Sequence, residues 1–212
     1  MGFKTILVPI EQHDLVNSTL ETALLLARKF DSYIEGFALR VEIPAVFAFG
    51  DVGAVPIPAV EQDIAENEKR SRSLFENFMQ EHGVPRGGDT KALSSAWLDN
   101  APEGDHFVGS HGRVFDAIVL GKPGRDPKGP RMATLEAGLF ESGRPVLIAP
   151  PTPQPQMGTN VLIAWNCSTE QARVTAFAMP ILKRASRVVV LRSKAEQRYP
   201  DQQGGNCAAI CN

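Results

Sequence analysis

The sequence predicts an α/β protein: a doubly wound parallel sheet followed by the opening of a second unit of the same kind. Three observations carry this. Short apolar runs rich in β-branched residues alternate with stretches of helical period, as strands and crossover helices do in a parallel sheet. The opening is also written twice. Shifted by 155, Ile6-Leu7-Val8-Pro9-Ile10-Glu11 lies on Val161-Leu162-Ile163-Ala164-Trp165-Asn166 without a gap. In the same register Ala23, Leu26 and Ala27 meet Ala178, Ile181 and Leu182, and Tyr33-Ile34 meets Val188-Val189. Between the copies, Pro151-Thr152-Pro153-Gln154-Pro155 reads as a stiff linker.

Lys4 to Ile10 has the continuous apolar character of a strand buried on both faces. Ser18-x-x-Glu21 reads as a capping box, and Ala23, Leu26, Ala27 and Phe30 follow at helical spacing. Tyr33 to Leu39 is the second strand. Val41 to Val60, with Pro44, Gly50, Gly53, Pro56 and Pro58, is a loop with apolar surface. A second helix is expected from Val60 to His82, with Ile64, Leu74, Phe75, Phe78 and Met79 on one stripe. Thr90 to Leu98 is a weak third strand. Phe107 to Phe115 is a weak third helix, broken by Gly109 and Gly112. Asp116 to Gly121 is the clearest strand. Gly129-Pro130 predicts a helix with glycine at the N-cap and proline at the first helical position. Met132, Leu135 and Leu139 would form its apolar side, Gly143 would end it, and Pro145 to Ala149 is a fifth strand. The second copy starts at Asn160, with a capping box at Ser168-x-x-Gln171 and a helix interrupted by Pro180. The expected organisation is a domain over 1–150, a linker over 151–159, a partial β-α-β repeat over 160–192 and a disordered tail over 193–212.

At 212 residues the chain is long enough for a substantial core, and a net charge of -2 gives no basic balance. Nucleic acid is therefore not an expected partner. No apolar run reaches the ~18 residues of a spanning helix, and Met1-Gly2-Phe3-Lys4 leads directly into a strand. No membrane is expected, and the location predicted is the cytoplasm. Cys167, Cys207 and Cys211 suit a reducing compartment better than a disulfide framework, and Cys207-x3-Cys211 has no companion ligands for a metal.

Ligands of open α/β sheets settle beyond the carboxyl ends of the strands where the strand order reverses. Glu11 after the first strand and Gly121-Lys122-Pro123-Gly124 after the fourth would meet there. Ile6 to Glu11 resembles the opening strand of the universal stress protein (UspA-like) family, which ends in an acidic residue. Asp116-Ala117-Ile118-Val119-Leu120-Gly121-x-x-Gly124 is similar to that family's fourth strand and the start of its nucleotide loop. Phe140 to Ile148 resembles its closing helix and strand, and Trp165-Asn166-x-Ser168 resembles the second-domain opening of tandem members. The resemblance covers Phe3 to Leu191. It implies a five-stranded sheet of order 3-2-1-4-5, of the adenine nucleotide alpha hydrolase-like type, a homodimer, and an ATP site.

The nucleotide pattern of the family, Gly-x2-Gly-x9-Gly-(Ser/Thr), is half present. Gly121 and Gly124 match, but Thr134 stands at the third glycine and Leu135 at the hydroxyl residue. Pro123, Pro127 and Pro130 remove backbone N–H donors from the loop, whereas Lys122, Arg125, Lys128 and Arg131 bring positive charge to a helix start. By the resemblance, Glu11 and Val41 would contact the base, and Gly121, Gly124 and Thr134 would lie at the phosphates. A solvated basic loop on a degenerate site is the favoured reading, with ATP binding weak or vestigial.

His13, His82, His106 and His111 lack metal-ligand spacing, and Gly109-Ser110-His111-Gly112 reads as a helix break. Ser168 reads as an N-cap, and no nucleophile–base set can be assembled, so no enzyme is expected. The function expected is that of a stress-response protein acting by conformation and association. The alternatives are a nucleotide-dependent hydrolase or phosphotransferase using Glu11 or Asp126, and an interaction module without ligand.

Overall fold

The computed structural model describes residues 2–40, 57–87 and 92–192, and the chain divides into two units after Met157. The first unit runs β1 (Thr5–Ile10), α1 (Val16–Phe30), β2 (Tyr33–Ala38), α2 (Ile57–Glu81), β3 (Ser94–Leu98), α3 (His106–Gly112), β4 (Ala117–Gly121), α4 (Met132–Glu141) and β5 (Val146–Ala149). Its five strands form one parallel sheet of order β3-β2-β1-β4-β5, the order that the family resemblance implies. β1 pairs with β2 from Thr5↔Tyr33 to Ile10↔Ala38 and with β4 through Ile6↔Ala117 and Leu7↔Ile118. With ladders on both edges and helices on both faces, Ile6, Leu7 and Val8 are fully enclosed, which is why the run carries no polar alternation. On one face, Leu7 and Phe37 join Val108 of α3, Leu135 of α4, Ile118 and Leu120 in a common core.

Several local expectations change. α1 begins two residues before Ser18, so Ser18 lies inside the helix and is no cap. Its hydroxyl instead donates to the Pro150 carbonyl at 2.6 Å, tying α1 to the end of β5. The N–H of Leu15 is satisfied by His13 Nδ1 at 3.1 Å. α4 starts at Met132 with Arg131, in extended geometry, as its N-cap, so the Gly129-Pro130 pair lies just outside the helix. A Gly129 N–H bond to the Asp126 carbonyl at 3.0 Å uses that glycine in a turn. α4 buries Thr134, Leu135, Ala137 and Gly138, while Met132 and Leu139 face outward. Gly143, at φ 65°, follows its end as expected.

Gly109 does not break α3; it lets the helix lie against α4. A Cβ there would come within 2.5 Å of the Glu141 Cβ and 3.0 Å of the Ala137 carbonyl oxygen. The backbone contact cannot rotate away.

The second unit contains β6 (Asn160–Trp165), α5 (Thr169–Leu182) and β7 (Arg187–Arg192), with β6 and β7 parallel in a two-stranded sheet. Ser168 caps α5 by accepting from the Gln171 N–H at 3.1 Å. α5 continues through Pro180 to Leu182, and Lys183 N–H still bonds the Met179 carbonyl. The gapless shift of 155 fails by one residue at the second strand. Asn160 pairs with Arg187, as Thr5 pairs with Tyr33, so Tyr33 corresponds to Arg187 and not to Val188. α5 buries none of its residues. Among the described residues β5 has a single ladder, to β4. Val41, Cys207, Cys211 and the tail over 193–212 lie outside the described residues.

Gly109→Val should force α3 and α4 apart. We expect a loss of about 1–3 kcal/mol, the usual cost of overpacking, read as a lower urea midpoint. An unchanged midpoint would mean that the contact has slack.

Candidate functional site

The carboxyl ends of β1 and β4 diverge into a crevice, because the chain leaves β1 towards β2 and reaches β4 from the other side. Glu11 follows β1 directly, and its side chain is nearly buried. Its Oε2 accepts the backbone N–H of Arg131 at 3.0 Å, and Arg131 Nε lies 3.8 Å away. The extended backbone at Arg131 turns this amide out of the α4 register and towards the acid. An acidic group at a helix start is favoured by the exposed amides there.

Arg131 also reaches the other way. Its Nη2 donates to Asp105 Oδ1, at the start of α3, and to Thr134 Oγ1 at 3.4 Å. The Thr134 hydroxyl donates to the same Asp105 oxygen at 2.8 Å. Glu11, Arg131, Asp105 and Thr134 therefore form one closed polar network joining β1, α3 and α4. Burial raises the Glu11 pKa above the usual carboxylate range, opposed by the Arg131 amide bond and by the Arg131 charge.

The loop between β4 and α4 is occupied by its own contacts. A Cβ on Gly121 would lie 2.6 Å from Pro130 Cγ and 3.2 Å from Thr19 Oγ1, so the proline ring covers the strand end closely. Thr19 Oγ1 is buried there without a hydrogen-bond partner. Asp126 takes the Lys128 N–H on its side chain at 2.9 Å and the Gly129 N–H on its carbonyl. Together with the three prolines, this consumes much of the donor set that a phosphate would need. Gly124 looks onto open space, with only the Asp126 amide 3.9 Å from a Cβ position. Glu11, Gln12, Leu39, Asn67, Lys128 and Arg131 help line a cleft of about 170 Å³ at this point. That is below the ~300–1,000 Å³ of ordinary ligand pockets.

Of the predicted site residues, Glu11 and Thr134 are joined through Arg131 and Asp105. Gly121 lies beneath Pro130, Gly124 stands apart from the network, and Val41 is outside the described residues. Asp105 gave no sequence signal, since nothing in its neighbourhood marks a loop that returns to α4. A second cluster was also hidden. His111 Nε2 lies 2.7 Å from Glu35 Oε1, Tyr33 donates its hydroxyl to Glu35 Oε2 at 2.6 Å, and Phe107 stacks on the imidazole. Burial and the Glu35 carboxylate both raise the Tyr33 pKa. Strand alternation puts Tyr33 and Glu35 on the face that α3 covers, a pairing legible only once β2 and α3 are known to be neighbours. Among the described residues no group of His, Cys, Asp and Glu could hold a metal ion, and no helix is long and apolar enough to cross a membrane.

Comparison with solved structures identifies the fold. A universal stress protein from Archaeoglobus fulgidus DSM 4304 superimposes with a TM-score of 0.63 at 13% identity, over 92% of this chain and 70% of that one. The universal stress protein UspA from Lactobacillus plantarum aligns over 70% of this chain and 99% of its own, at 15% identity and a TM-score of 0.49. A protein of the universal stress protein family from Burkholderia pseudomallei does so over 70% and 96%, at 17% identity and the same TM-score. No protein-family model and no curated protein matches the chain.

Arg131→Ala should leave Glu11 and Asp105 facing each other without their shared cation. We expect a destabilisation of about 1–2 kcal/mol, reduced from the fully buried case by partial exposure, and thermal unfolding would read it. Glu11 has a raised folded pKa, so its contribution is complete below the unfolded value and is lost as pH rises through the folded one. Glu11→Gln should therefore flatten that part of the stability–pH curve. A variant whose curve keeps the wild-type slope above pH ~4.3 would remove Glu11 from the account.

Proposed function

We propose that this chain, which has the universal stress protein fold, is a cytoplasmic stress-response protein that acts by changing conformation and by association, without turnover. Its nucleotide site is a vestige. The observation that carries this reading is the closed network of Glu11, Arg131, Asp105 and Thr134. It fills the switch-point crevice with the protein's own charges. A ligand's phosphates would have to displace the guanidinium from two carboxylates and then find donors in a loop whose prolines have none. The second unit, β6-α5-β7, fits the opening of a second copy of the fold.

Nothing at the crevice favours a hydrolase. Glu11 is held by Arg131, and Asp126 is bound within its own turn, so neither is poised to orient a water.

Isothermal titration of the full chain with ATP and Mg²⁺ tests the proposal. Dissociation should be weaker than about 1 mM, or no saturable heat should appear at all. Gly124→Val should leave the result unchanged, because that position faces open space. A sub-micromolar dissociation constant, lost in Gly124→Val, would overturn it and restore a working phosphate loop.

A further inference from the structure

We propose that the cleft between the end of α2 and the edge of β3 binds a small aromatic carboxylate, with its ring against Trp97 and its charge on Arg86. The inference is independent of the nucleotide reading, since no residue of the crevice network lines this cleft.

The cleft follows from how the chain leaves α2. Gly83, at φ 67°, ends the helix, and the Val84 N–H turns back to the Met79 carbonyl at 2.9 Å. The chain then meets the edge of β3 at one residue. The Ser95 N–H bonds the Pro85 carbonyl, and the Ser95 carbonyl takes the Gly87 N–H, both at 2.9 Å. Among the described residues no other backbone pairs with that edge. Between this single bridge and the last turns of α2 lies a cleft of about 360 Å³, within the ~300–1,000 Å³ of ordinary ligand pockets.

The inner wall is aromatic. Phe75 and Met79 of α2, both buried, line it together with Trp97 of β3, and the Phe75 and Trp97 ring centroids are 5.5 Å apart. Gly36 pairs with Trp97 in the β2–β3 ladder, and a Cβ there would lie 2.7 Å from the Phe75 ring. The missing side chain therefore lets Phe75 settle against the strand beside the indole. Trp97 Nε1 is buried without a hydrogen-bond partner, so the protein's own packing leaves this wall unfinished. Flat aromatic faces of this kind accept another flat ring.

Charge at the mouth selects the rest of the ligand. Arg86 is 71% exposed, and its Nη2 lies 3.3 Å from Glu76. Glu76 also accepts Arg72 Nε at 3.1 Å, so one carboxylate serves two guanidinium groups. The remaining donors of Arg86 and the side-chain amide of exposed Gln80 have no partner among the described residues. A guanidinium with donors to spare matches a carboxylate in both charge and shape. A cationic ligand would instead set its charge against Arg86, and an aliphatic acid would forgo the aromatic wall.

The test is an NMR titration of the full chain with 2-naphthoate, read on the Trp97 indole N–H signal and assigned with Trp165→Phe. A saturable shift is expected, with a dissociation constant below about 1 mM. 2-Naphthamide, neutral and of the same shape, should bind about three- to five-fold more weakly, the scale of an exposed ion pair. Arg86→Ala should bring naphthoate down to the level of the amide and leave the amide unchanged. Gln80→Trp, which sets a large side chain at the mouth, should remove the binding of both. Both positions are exposed, so circular dichroism should show the variants folded, and comparing the two probes on the parent chain needs no variant. No saturable shift at Trp97 would overturn the proposal. Equal affinity for the two probes would do so too, since the cleft would then be an apolar crack with no preference for an anion. Binding that survives Gln80→Trp would place the ligand elsewhere and end the case for this cleft.

Discussion

The first unit is organised by the need to satisfy β1 along both of its edges. A strand buried on both faces cannot leave an N–H or carbonyl unpaired, so β2 must lie on one side and β4 on the other. Asp116 completes the junction at the start of the strands. Its carboxylate accepts the amides of Lys4 at 2.7 Å and Thr5 at 3.1 Å, while its own N–H reaches Thr5 Oγ1 at 3.0 Å. At the opposite end the same arrangement leaves a crevice, because the connections out of β1 and β4 run to different sides of the sheet. The position of the candidate site follows from how β1 is paired, before any side chain in the crevice is considered.

What occupies the crevice is decided by α4. Starting that helix at Met132 makes Arg131 a hinge between an amide given to Glu11 and a guanidinium given to Asp105. Thr134, one turn on, closes the circuit. A glycine at 134 would leave this position without a hydroxyl and would widen the approach to the helix start. The threonine instead makes the approach part of the fold's own hydrogen bonding, so the same substitution that spoils the glycine pattern also stabilises the filled site.

The sheet was legible because its strands are short apolar runs separated by stretches of helical period, a pattern that survives a boundary error of two residues at the helix starts. The boundaries themselves were less legible. Ser18 and Gly129-Pro130 have the composition of helix starts, but tertiary partners took over: the Pro150 carbonyl claimed Ser18, and the Asp126 turn claimed Gly129. Gly109 was misread because a glycine that breaks a helix and one that admits a neighbouring helix look alike in sequence. Of the site, Glu11, Gly121 and Thr134 could be named from motif spacing. Asp105 and the place of His111 beside Glu35 could not, since those partners lie 26 and 76 positions away and only the folded topology makes them neighbours.

β7 is a window of six residues, four of them aliphatic and three of those β-branched, with an arginine at each end and, among the described residues, a ladder on one side only. Segments of this composition stack into fibrils when they meet unpaired copies of themselves. Arg187 and Arg192 sit where gatekeeping charges oppose that stacking, since in-register layers would pile like charge upon like charge at 4.7–4.8 Å. Screening of both guanidinium groups, by high salt or by a polyanion, would remove that opposition at this segment.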